Sequence, residues 1–352
     1  MVHLVAFVFL LISLSCAVPD AGFEHHQQET WTKSSFEESH HLCPHPSAYG
    51  VNDLVSAVVA SDEFRLRCIL EDAIFLLDQM NLDGWNPLLW AVASGQATLA
   101  RLLVEAGADV NVQNAFGDTP LVFAAIVNGF ETSKLLLENG AIVDTESKIN
   151  TTALGKAVMN GNLRIAQLLI DYKADVNKQN KLGKTPLMLA SLSGQKTIVS
   201  LLIKRGAYIN VQDDYGFTAL ILAASKGHKN ITTILVNKGA NMDLQDYRGY
   251  TALIWSVLEG HHNISMSLIA DCADHTIVYH RRCANYRIQD KDGRNALHYA
   301  VKYGNHFMGR ILADLMNEDK KDELNGNKSL DDSHVETRLP SPSFSSNDER
   351  EL

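Results

Sequence analysis

Apolar positions recur along this chain at a long, fixed interval. Pro87-Leu88, Pro120-Leu121, Ala153-Leu154, Pro186-Leu187, Ala219-Leu220 and Ala252-Leu253 place a leucine every 33 residues, a period that signals a stack of like units. Fourteen and fifteen positions after each leucine comes an apolar pair: Leu102-Leu103, Leu135-Leu136, Leu168-Leu169, Leu201-Leu202 and Ile234-Leu235. Each pair reads as the buried stripe of a second helix. Between the two clusters stands a glycine, at Gly95, Gly161, Gly194, Gly227 and Gly260, replaced once by Asn128. Gly-Ala follows the second cluster at 107, 140, 206 and 239, where a helix C-terminus needs a residue that tolerates positive φ. The pattern predicts helix, turn, helix, loop in every unit.

The repeated turn, Gly183-Lys184-Thr185-Pro186-Leu187, and the repeated loop, Gly107-Ala108-Asp109-Val110-Asn111, resemble the ankyrin-repeat family. The resemblance implies an all-α ankyrin-like solenoid of helix-turn-helix units joined by β-turn or hairpin fingers. Counting back 33 from Leu88 reaches Val55, and Val58, Leu66, Ile69 and Leu70 then fall on the helix positions of a degenerate first unit. The last unit, Gly293-Arg294-Asn295-Ala296-Leu297-His298, follows 44 residues after its predecessor, so eleven residues are inserted at about 271–290. The array thus spans 48–316 in about eight units. The family's histidine after the leucine survives only as His298, giving way to Leu89, Val122, Gly155, Met188, Ile221 and Ile254, so its turn hydrogen bond is expected to be missing from most units. The unit of Leu154 lacks the turn glycine and carries Lys156 at an apolar position, a local weak point in a structure whose stability sums over units and their interfaces.

Charge belongs to the flanks. Residues 317–352 hold ten acidic and five basic side chains and residues 18–47 five and one, so the flanks carry −9 of the net −10. The array is close to neutral, and without a basic stripe it is read as binding neither nucleic acid nor an anionic surface. Residues 1–17 read as a secretory signal peptide: an apolar run from Leu4 to Leu14, then Ser15-Cys16-Ala17 with small residues suited to cleavage. The run is too short to span a membrane. Residues 18–47 form a polar leader and 317–352 an acidic tail, both read as disordered. A secreted protein is therefore expected. The alternative is a cytoplasmic adaptor, in which Ser341-Pro342 would be a phosphorylation site. Sequons at Asn150, Asn230, Asn263 and Asn327 are candidate glycosylation sites. Lys321-Asp322-Glu323-Leu324 spells a retrieval signal but does not end the chain.

Of five cysteines, Cys272 and Cys283 bracket the insertion and are a candidate disulfide in an oxidising compartment. The same stretch contains His275 and His280, but with no zinc-finger framework around them no metal site is assigned. Gly183-Lys184-Thr185 ends like a phosphate loop, yet Lys178 stands where its first glycine would be and the repeat explains the tripeptide. With no H-E-x-x-H or G-x-S-x-G, no enzyme and no cofactor is expected. What remains is binding of a protein partner, by a monomer. In ankyrin-like stacks the fingers and first helices line a concave groove. The residues expected there are Trp85, Phe116, Tyr215, Phe217, Tyr247, Arg248 and Tyr250, of the aromatic and arginine types enriched at binding hot spots. Trp90 and Trp255 are expected to pack between helices instead.

Overall fold

The computed structural model describes residues 51–72, 74–81, 84–148, 151–270 and 283–328. The segments read as signal and leader, most of the tail and most of the insertion lie outside these residues. Among them sixteen α-helices fall into eight pairs. The first helices are α1 (Val51–Val59), α3 (Pro87–Ala93), α5 (Pro120–Ile126), α7 (Ala153–Met159), α9 (Pro186–Leu192), α11 (Ala219–Ser225), α13 (Ala252–Leu258) and α15 (Ala296–Lys302). Their partners are α2 (Glu63–Asp72), α4 (Ala97–Glu105), α6 (Phe130–Glu138), α8 (Leu163–Asp171), α10 (Lys196–Lys204), α12 (Lys229–Asn237), α14 (His262–Ile269) and α16 (His306–Lys328). From α3 to α13 each first helix has seven residues, well below the ~12–15 at which an isolated helix is even marginal in water. They exist because neighbours pack: each first helix touches the first helices before and after it.

The caps explain how the family histidine is dispensed with. Thr119, Thr152, Thr185, Thr218 and Thr251 each accept, through the side-chain oxygen, the backbone N–H three residues on, and Asn86 and Asn295 do the same. This satisfies one of the orphan donors of the first turn. The position of the missing histidine is then free to be apolar, and Leu89, Val122, Met188, Ile221 and Ile254 are all buried. His298, in the last described unit, is exposed.

The repeat leucines from Leu88 to Leu253 are no more than 1 % exposed. The second member of each apolar pair is the deeper one: Leu103, Leu136, Leu169, Leu202 and Leu235 are fully buried, while Leu102, Leu168, Leu201 and Ile234 are only partly covered and Leu135 alone of the first members is buried, at 8 % exposed. The first unit is offset by one. Leu54, Ala57 and Val58 are fully buried like Leu88, Ala91 and Val92, so the interval there is 34 residues and Leu54 rather than Val55 holds the leucine position. Three non-glycines take the left-handed turn conformation, Ser61 at φ 57°, Asn128 at φ 60° and Lys173 at φ 72°, where the repeat otherwise has glycine.

The fingers are turns without strands; no described residue is in a β-strand. Each is closed by a backbone bond from a residue to the carbonyl four on: Asn114 to Asp118 at 3.1 Å, Asp213 to Phe217 at 2.9 Å, Asp246 to Tyr250 at 3.0 Å and Asp290 to Arg294 at 2.8 Å. Successive fingers are joined by single backbone bonds, Lys148 N–H to Phe116 O at 2.8 Å, Asp214 to Leu182 at 3.2 Å and Tyr247 to Tyr215 at 3.0 Å. The step across the insertion is the same: Lys291 N–H donates to Arg248 O at 3.2 Å. A second row of bonds shows this too. Asn241 N–H meets Asn210 Oδ1, 31 residues back, and Asn285 N–H meets Asp243 Oδ1, 42 back. By both bonds the eighth unit docks as the others do.

Candidate functional site

The fingers are built from one inward-turned side chain apiece, buried at Asn114, Asp213, Asp246 and Asp290 and half-buried at Asn180. Asn114, Asn180, Asp213, Asp246 and Asp290 each turn Oδ1 inward to accept the backbone N–H groups two and four residues on, at 2.8–3.0 Å. An Asx side chain that mimics a backbone turn in this way fixes the loop without a strand. Where the residue is aspartate, its second oxygen is also occupied. Lys184 of the preceding finger pairs with Asp213. Trp255 Nε1–H donates to Asp246 at 2.8 Å. The Tyr299 hydroxyl donates to Asp290, as a buried carboxylate requires. Expectations from the sequence missed this residue, although its recurrence at 33 and then 44 residues was visible there.

The buried site of the last unit shifts its own titrations. Burial drives the Tyr299 hydroxyl far up, and its hydrogen bonds to Asp290 and to the Tyr250 hydroxyl, 3.1 Å away, act in the same direction. Burial alone would raise the Asp290 carboxyl. The bonds from Tyr299 and from the backbone of Arg294 and Asp292 outweigh it, and the carboxyl sits below its usual value.

The expected binding residues divide into two sets. Trp85, Phe217 and Tyr250, at the base of their fingers, are half-buried in ring clusters. Trp85 lies 5.0 Å from both Trp90 and Phe123, Phe217 lies 5.8 Å from Trp255, and Tyr250 lies 5.6 Å from Trp255 and 5.5 Å from Tyr299. These rings, Trp90 and Trp255 among them, bridge a finger to its own first helix or the next one. Phe116, Tyr215 and Tyr247 are different. They are 67 %, 52 % and 61 % exposed, and Arg248 beside them is exposed too. Their side chains do not hold the turn together, yet their backbones are pinned, because the carbonyls of Phe116, Tyr215 and Arg248 all accept from the next finger. Leu182, 46 % exposed, continues the row. The result is a ridge of large side chains on a rigid ribbon, which loses little conformational freedom when it is covered.

Gly216 shows how closely the ribbon is packed. Its φ is +79°, and a Cβ there would stand 2.9 Å from Asp246 Cα in the neighbouring finger.

Cys68, in α2, and Cys283 are both disulfide-bonded. Pairing of Cys68 was not anticipated from the sequence. Cys272, the expected partner of Cys283, lies outside the described residues, as do His275 and His280. A sulfur held in a disulfide is not available as a zinc thiolate. Of the sequons, Asn230 and Asn263 are exposed, while Asn150 and the side chain of Asn327 lie outside the description. No helix among the described residues is long and apolar enough to cross a membrane.

Comparison with protein-family models gives a match to Ankyrin repeats (3 copies) at residues 55–149, 106–180, 143–213 and 187–279. The overlapping matches run without a break over well more than half of the chain. No curated protein matched it.

Proposed function

Because the chain belongs to the ankyrin-repeat family, whose arrays are protein–protein interaction modules, we propose that it is a secreted, non-enzymatic binding protein that captures a protein partner with its fingertips and concave groove. The observation that carries the binding surface is the ridge of Phe116, Leu182, Tyr215, Tyr247 and Arg248. It is exposed where the ring clusters at the finger bases are not. Aromatic and arginine side chains on a preorganised backbone are what a hot spot requires. Secretion is supported by the apolar run at residues 4–14 with its small-residue cleavage site, and by the disulfides at Cys68 and Cys283, since disulfides persist in oxidising compartments.

The test combines location with binding. The protein is recovered from medium and lysate of native cells, and a species in the medium beginning at Val18 is expected. Full-length protein confined to lysate with free thiols would make it a cytoplasmic adaptor. For the surface, Tyr215→Ala with Tyr247→Ala is expected to lose the proteins retained by the wild type while keeping its helical circular dichroism. Undiminished retention would remove the ridge from the contact surface, and loss of helix would show the two tyrosines to be structural.

A further inference from the structure

The sequence places two sequons one repeat apart, Asn230-Ile231-Thr232 and Asn263-Ile264-Ser265; packing within the helix pairs accounts for Thr232 and Ser265 but not for the two asparagines. Both asparagines are exposed, and each is the second residue of a second helix, α12 or α14. First helices start at the finger, as α11 does at Ala219 just after Phe217. The chain reverses at their far ends, so the first turn of a second helix lies at the edge of the array away from the fingertips. Two bulky groups attached there would stand side by side on that edge and leave the exposed fingertip ridge clear.

We infer that Asn230 and Asn263 are sites of N-glycosylation, an inference that rests on the secretory reading above. The amide nitrogen forms a bond to the anomeric carbon of an oligosaccharide carried on a lipid diphosphate. The carbon–oxygen bond to the diphosphate breaks, the lipid diphosphate departs with that electron pair, and the amide gives up one proton. The order of events follows from burial. A sequon consists of its hydroxyl as well as its asparagine, and in the folded array Thr232 and Ser265 are 0 % exposed. The Thr232 hydroxyl donates to His228 O at 3.2 Å, and Ser265 Oγ lies 2.8 Å from Ser256 Oγ. The hydroxyls are accessible only before the helix pairs close, so transfer precedes folding of these units.

The experiment compares the full chain with Asn230→Gln, Asn263→Gln and the double variant, all recovered from the medium. Intact masses are taken before and after an enzyme that releases N-linked glycans and leaves aspartate at each former site. Glutamine is a better helix former than asparagine, so α12 and α14 are expected to survive, and circular dichroism checks this. Each single variant is expected to lose the mass of one glycan and the double variant that of two, with aspartate appearing at 230 and 263 in the treated wild type. Purified folded protein given the transferase and lipid-linked donor is expected to gain nothing. Secreted protein whose mass is unchanged in all three variants would overturn the inference and leave the secretory reading standing. Protein found only in lysate and unmodified would overturn both. Modification of already folded protein would overturn the order of events.

Discussion

At the scale of single residues, the fingers depend on two devices: a buried Asx oxygen and a glycine against its neighbour. Gly216→Ala is expected to destabilise by more than ~1 kcal/mol. An alanine at positive φ costs about 1–2 kcal/mol by itself, and the Asp246 backbone leaves its Cβ no room. Urea unfolding measures this, and an unchanged midpoint would mean that the fingers can spread apart. The Asp290 site makes a pH prediction. Its carboxyl is depressed in the folded state, so its contribution is fully present above the unfolded value of about 3.9 and is lost as pH falls through the folded one. Tyr299→Phe removes a hydrogen bond to that carboxylate, worth about 1.5–3 kcal/mol. The gap between wild type and variant should be full at neutral pH and narrow below about pH 4. A gap that does not vary with pH would show that the hydroxyl acts on something other than the carboxylate.

Helices and fingers are the scale at which the sequence was most legible. The 33-residue interval placed every helix pair from α3–α4 to α13–α14, because burial of one face by a like neighbour demands strict repetition. Two details escaped it. The first unit's 34-residue offset was hidden because Leu54 and Val55 are both apolar, and only packing shows which of the two is enclosed. The split between exposed Tyr215 and half-buried Phe217 escaped as well. Both are aromatic finger residues two apart, and their different roles come from which ring the next unit presents, Trp255 in the case of Phe217. Leu202→Ala tests the helix register. Leu202 is 0 % exposed in α10, so a loss of about 2–5 kcal/mol is expected, while Leu201→Ala at the partly covered neighbour should cost clearly less. Equal losses in the two melting curves would contradict the assignment of the second position to the core.

For the whole molecule, stability in a stack of units runs along one dimension, and its ends have a neighbour on one side only. The disulfides occur near those ends, at Cys68 in the first pair and at Cys283 just before the last. Reduction is therefore expected to lower hydrogen-exchange protection in α1–α2 and α15–α16 more than in α7–α10. A uniform loss across the array would mean that it unfolds as one cooperative block. The inter-finger bonds skip the insertion and join Arg248 to Lys291 as they join Tyr215 to Tyr247. The chain between the seventh and eighth units is thus a splice point: its length can change, Cys283 apart, while the seven units before it and the one after keep their alignment.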